Sequence, residues 1–148
     1  MRSLTRAVCA LATAQLAVAS GCAGSSQNEP ATPPTFSAIY AEVFVLGTKG
    51  QCNYCHDRPA NEISNGKLDM GHTQAAAFAA IVGVASASAK CGGGRQLVVP
   101  GDPENSLFYL KLGPAHPCGD RMPQGATPLT DGQLEAVRSW IASGAKND

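Results

Sequence analysis

Aromatic side chains are scarce in this chain, which has one tryptophan, three tyrosines and four phenylalanines in 148 residues. A domain with so little aromatic surface builds a thin core of its own and gains from an added apolar body. Net charge is lacking as well: 11 basic residues balance 11 acidic ones, which argues against nucleic acid as a partner. No internal repeat is visible, and the apolar run over residues 7–20 is too short to span a bilayer. Glycine and proline, by contrast, are plentiful at 16 and 10, and the length leaves room for one domain.

Arg2 and Arg6 precede the alanine-rich run of residues 7–20, giving the charged and hydrophobic regions of an export signal. The run ends in Val18-Ala19-Ser20-Gly21-Cys22. This resembles a bacterial lipobox, in which small residues precede a cysteine that is diacylated and becomes the first mature residue; alanine stands where leucine is commoner. The competing reading is an ordinary signal cut near Ala23, and Cys9 is lost in either case. Residues 1–21 are therefore expected to be a signal peptide of the lipoprotein type. Residues 22–35, mostly Ser, Gln, Asn, Pro and Thr, are expected to be a lipidated disordered tether with ends about 20 Å apart. Acylation at Cys22 implies stable membrane anchoring. The absence of aspartate at position 23 points to the outer membrane, and the mature chain, without Arg2 and Arg6, is mildly acidic.

Cys52-Asn53-Tyr54-Cys55-His56 is a C-x-x-C-H run of the kind that attaches a c-type haem. Cysteines three apart on a helical turn can both face one flat ligand and form thioethers with its two vinyl groups, with His56 held beneath the iron. Two other readings compete. One is a reduced or disulfide-bonded C-x-x-C with a chance histidine. The other is a redox pair, although no strand-rich stretch flanks the motif. A zinc site of Cys52, Cys55, Cys91 and Cys118 would lack a second closely spaced pair.

Around the motif the periodicity is helical. Phe36, Ile39, Tyr40, Val43 and Phe44 recur at three and four residues, marking a helix expected to end at Gly47 and Gly50 and to lie against the last helix. Thr73 is expected to cap a helix through Ala75, Phe78, Ile81 and Val82 to Gly83, followed by a loose stretch to Cys91. Asp102-Pro103 should start a helix carrying Leu107, Phe108, Leu110 and Leu112 and closing at Gly113. Thr130 and Gln133 fit a capping box for a terminal helix that carries Leu134, Val137, Trp140 and Ile141 and stops at Gly144. Residues 58–67 show no period; Pro59 is a candidate to offer a carbonyl to His56, and Leu68 and Met70 read as packing residues.

In the loop Cys118-Gly119-Asp120-Arg121-Met122-Pro123, Met122 is the candidate second ligand. A thioether favours reduced iron, and His/Met ligation raises the potential. His116 and His72 are rivals that would give a bis-histidine iron of lower potential. Arg95 or Arg121 could meet a haem propionate. Cys91 and Cys118 remain once the other cysteines are assigned, and in an oxidising compartment they are expected to pair, contributing about 3 to 4 kcal/mol by loop entropy.

Taken together, these features resemble class I cytochrome c domains: a helix leading into C-N-Y-C-H, a late methionine followed by proline, and a closing aromatic-bearing helix. The closer likeness is to exported bacterial cytochrome c-like domains with a P-G-D-P-x-x-S helix start, here Pro100 to Ser106, and a G-D-x-M-P loop, here Gly119 to Pro123. The resemblance implies an all-α, cytochrome c-like helical domain over residues 36–148 around one covalently bound haem c. Cys52 and Cys55 would be its attachments, and His56 and Met122 its axial ligands. It also implies one-electron transfer by a carrier or redox subunit rather than an enzyme. Its partners would be periplasmic or membrane redox proteins, met on the periplasmic side. The alternative is a haem-based sensor or peroxidase-like protein in which Met122 dissociates, with His116 the one obvious distal acid or base.

Overall fold

The three-and-four recurrence of apolar residues after Thr35 does form a helix. In the computed structural model, which describes residues 32–45, 47–48, 50–57 and 68–148, α1 (Phe36–Ile39) runs straight into one wider π-helical turn, Tyr40–Phe44. Phe36, Ile39, Val43 and Phe44 are buried, and Tyr40 is half-buried at the edge. The first N–H groups of a helix have no partner within it. Here the Thr35 hydroxyl accepts from Ala38, the Asp148 carboxylate accepts from Phe36 at 2.8 Å, and the Asp148 backbone oxygen accepts from Ser37 at 3.1 Å. The expected signal peptide, Cys22, residues 23–31 of the tether and Pro59 lie outside the described residues.

Four further α-helices follow: α2 (Cys52–His56), α3 (Gln74–Ile81), α4 (Leu107–Leu112) and α5 (Asp131–Ala142). The described residues contain no named strand, and the all-α class holds at that level. All of them belong to one unit, Ala31–Asp148. α5 has the capping box read from Thr130 and Gln133, with both reciprocal bonds made. Its Val137, Trp140 and Ile141 are buried, and Leu134 sits half-buried beside them.

The core gathers most of the chain's aromatic rings at the α1–α5 contact. Phe36 stacks on Trp140 at 4.9 Å and meets Phe44 and Phe78 edge-on at 5.7 and 5.4 Å. Phe44 in turn stacks on Phe108 of α4 at 5.6 Å. The Trp140 indole N–H is satisfied by the Lys146 carbonyl at 2.8 Å, so the ring is buried without an orphaned donor.

Three expectations are corrected. α3, capped by Thr73 as read, ends at Ile81 rather than Gly83, and it buries Ala77 and Ile81 while Ala75 stays exposed. The reason is that Val82 turns extended and pairs in parallel with Val98, and Ala85 then pairs antiparallel with Gln96. The stretch before Cys91 is thus partly paired rather than loose. The helix expected from Asp102 onward is also broken. Asp102 caps only the 3₁₀ turn Pro103–Asn105, and Ser106 then goes extended. The fully buried Ser106 hydroxyl accepts from Val99 and donates to the Asp102 carbonyl, so it holds the break closed. α4 restarts with its Leu107 and Phe108 amides donating to the carbonyls of Gln96 and Leu97 at 3.1 and 2.8 Å.

Because Trp140 is 1 % exposed and joins the two terminal helices, Trp140→Ala is expected to lower the unfolding free energy by about 3 to 5 kcal/mol. A denaturant titration measures this, and a loss below about 1 kcal/mol would contradict this account of the core.

Candidate cofactor site

The C-x-x-C-H helix is positioned by a backbone contact. After the π-helical turn the chain comes back through Gly50, where a Cβ would lie 2.1 Å from the Val43 carbonyl oxygen. Only glycine fits there. Gln51 then adopts left-handed backbone angles, φ 46° and ψ 36°, and α2 begins at Cys52. Two side-chain links hold α2 against the same turn. The Cys52 thiol donates to the Val43 carbonyl at 3.5 Å, and the Asn53 amide donates to the Tyr40 hydroxyl at 3.2 Å. That hydroxyl donates onward to the His72 carbonyl.

On α2, Cys52 and Cys55 are half-buried and not joined to each other, whereas Tyr54 between them is 69 % exposed. Burial pushes the Cys52 thiol up to about 12, and the neighbouring Cys55 adds to the rise against the opposing effect of a backbone hydrogen bond. A redox-active C-x-x-C needs the reverse, a thiol held low enough to ionise. Four-thiolate zinc is excluded by the partners of the other cysteines. Cys91 and Cys118, 27 residues apart in sequence, stand at disulfide bonding distance with Cα atoms 5.1 Å apart. Among the described residues no group of three or more His, Cys, Asp or Glu side chains is placed to hold a metal ion.

His56 is half-buried, and its Nδ1 lies 3.0 Å from the Leu68 carbonyl oxygen. A carbonyl can only accept, so Nδ1 carries the proton and Nε2 keeps its lone pair for a metal. The reciprocal backbone bond, Met70 N–H to the His56 carbonyl, closes the same junction. The partner is thus Leu68, twelve residues on. Leu68 also lines a cavity of about 310 Å³ with Asp69, Ala80, Val84, Ser86 and Leu97. None of Cys52, Cys55, His56 or Met122 lines that cavity.

Met122 sits half-buried against the core in the long connection between α4 and α5. The last turn of α4 holds it there. The Met122 amide donates to the Lys111 carbonyl at 2.8 Å, and Arg121 Nε donates to the Leu112 carbonyl at 2.8 Å. The Lys111 ammonium donates to the Cys118 carbonyl at 2.6 Å and to the Asp120 carbonyl. Partial burial pushes Lys111 below the ordinary lysine value, and Asp120 opposes that shift.

The rival histidines differ. His72 is exposed, and its Nδ1 is paired with the Asp57 carboxylate. Among the described residues the buried Nδ1 atom of His116 has no hydrogen-bond partner, nor has Asn53 Oδ1, and buried polar atoms of this kind ordinarily have one. Arg121 is engaged at the end of α4. The structure thus brings Cys52, Cys55 and His56 onto one helix and joins Cys91 to Cys118, while no hydrogen bond links His56 to Met122. Gly50, Leu68 and Lys111 were not singled out for these roles by the sequence. A glycine two residues before the motif was the one available signal; a lysine in a helix's last turn carries none.

No protein-family model, no curated protein and no solved structure matches the chain. Two free thiols one turn apart, with an adjacent imidazole whose Nδ1 faces a carbonyl, form a donor set chemically able to take a covalently attached haem.

The Gly50–Val43 contact gives a direct expectation. Gly50→Ala should lower stability by about 2 kcal/mol or more, because the backbone must shift to admit the methyl. Gly93→Ala, where no atom lies within 4 Å, should stay within about 0.5 kcal/mol. Parallel denaturant midpoints decide this, and equal losses would remove the contact from the account.

Proposed function

We propose that the chain is an exported, membrane-tethered mono-haem c-type cytochrome that carries single electrons. The observation that supports this reading best is the His56 Nδ1 bond to the Leu68 carbonyl, because it orients the imidazole and reserves Nε2 for iron. In this reading Cys52 and Cys55 form thioethers with the porphyrin vinyl groups, and His56 and Met122 ligate the iron. A bound haem supplies a one-electron couple between ferric and ferrous iron. The rest falls to the chain. α2 would fix both attachment points on one turn, the Leu68 carbonyl would keep the His56 tautomer, and the end of α4 would restrain the loop that carries Met122. Restraint at both His56 and Met122 would favour electron transfer with little rearrangement of the chain.

The amino terminus fits the same picture. Residues 1–21 would be removed on export, Cys22 would be diacylated, and residues 22–35 would let the domain range near the periplasmic face of the outer membrane. Donor and acceptor would be periplasmic or membrane redox proteins. A second reading, a haem-based sensor or peroxidase-like protein, draws on one observation: the buried, unpartnered Nδ1 of His116. There Met122 would dissociate and His116 would serve as a distal acid or base.

One experiment separates these readings. Full-length protein is exported with haem-maturation machinery and stripped of loose cofactor by denaturing extraction, and its absorption is recorded out to the near infrared in both redox states. The carrier reading expects retained haem and a weak ferric sulfur-to-iron band. Met122→Ala should abolish that band and lower the reduction potential. Retained haem with no such band, ready carbon monoxide binding and loss of activity on His116→Ala would favour the second reading. Absence of retained haem would overturn both.

A further inference from the structure

The loop that carries Met122 converges on one side chain of α4. The carbonyls of Cys118 and Asp120 both accept from the Lys111 ammonium. Between them Gly119 turns the chain in the left-handed region at φ +54°, and the site of its missing Cβ is 3.5 Å from Lys111 Nζ. The same lysine also accepts the Met122 amide on its backbone carbonyl. Lys111 therefore holds the loop on both sides of Arg121, by side chain before it and by backbone after it. Beyond Met122 the Gln124 amide donates back to the Asp120 carboxylate at 2.7 Å, and Cys118 is tied to Cys91.

We propose that Lys111 is the positioning residue for Met122. Its ammonium acts as a latch that keeps the loop closed and the thioether in place. The physical reason is electrostatic. Two carbonyl dipoles converging on one point repel each other, and only a donor or cation between them makes the arrangement favourable. Without the ammonium that repulsion favours opening of the loop, and the Met122 and Arg121 bonds to the end of α4, with the Cys91–Cys118 pair, are left to oppose it. The consequence for iron rests on the proposed role of Met122 as a ligand: the latch would then decide whether Met122 stays in place or yields to an outside molecule.

The test uses full-length, haem-loaded protein carrying Lys111→Met, which keeps the chain's bulk and removes its donors, beside wild type and Lys111→Arg. Hydrogen exchange at the Met122 amide reads the latch without reference to iron, and imidazole titration of the ferric protein reads the ligand. Lys111→Met should speed the amide exchange and tighten imidazole binding by about tenfold or more, the scale of one lost charge-assisted bond. Lys111→Arg should restore most of both. Exchange and affinity within twofold of wild type in Lys111→Met would overturn the proposal. Faster exchange in a protein whose wild type shows no sulfur-to-iron band would uphold the latch and overturn Met122 as a ligand. Should Lys111→Met fail to fold by far-ultraviolet circular dichroism, Gly119→Ala perturbs the same clamp from the loop side. It is expected to move both readouts the same way, and no change there would equally refute the latch.

Discussion

The complete burial of Phe36 between Trp140, Phe44 and Phe78 is the contact on which the rest of the structure depends. It joins the first helix to the last and, through Phe44, reaches α4. A chain with few aromatic rings has linked six of its eight, Phe36, Tyr40, Phe44, Phe78, Phe108 and Trp140, through this junction, where ring–ring contacts add to area burial. The Asp148 bonds to Phe36 and Ser37 close the same junction from the polar side. The aliphatic core, with Ile81, Leu97, Val98, Leu107 and Leu112 buried, continues from this junction, but the long connection between α4 and α5 contributes few large apolar side chains to it.

This division explains how the candidate site is built. The α2 side is fixed by close backbone approach at Gly50 and by the packing of Val43 and Phe44 directly behind it. The Met122 side is a connection from Gly113 to Thr130 with no regular element of its own, longer than most structureless links in compact domains. Met122 is its one large apolar side chain before Leu129. Besides the packing of Met122 against the core, it is held by a covalent pair, charge-assisted bonds and main-chain bonds. The two halves of the site rest on different physics, and a solvent or sequence change that weakens one need not weaken the other.

Much of the frame was legible because its signals are local. The capping box at Thr130, the Thr73 cap, the face of Phe36 to Phe44 and the pairing of Cys91 with Cys118 each depend on residues whose chemistry allows few alternatives. The departures arose where distant chain supplied the partner. The break at Ser106 exists because Gln96 and Leu97 offer carbonyls to α4, and the bridges at Val82 and Ala85 are too short to leave an alternating pattern. Within the site, the C-x-x-C-H residues could be read at once. The carbonyl facing His56 could not be assigned to Leu68, since an acceptor on the main chain leaves no mark in the side-chain order. Lys111 was hidden for a related reason: its two acceptors are backbone oxygens brought together by the reversal at Gly119.

That reversal leaves a small oxygen-lined niche of the sort a free cation could enter, and the occupant here is tied to the chain by four methylene groups. A tethered ion is present at an effective concentration that dissolved sodium or potassium does not match. It cannot be removed by dialysis or drawn off by a chelator. The shape of this loop is thereby separated from the ionic composition of its surroundings, a useful property in any compartment whose salt content the cell does not control.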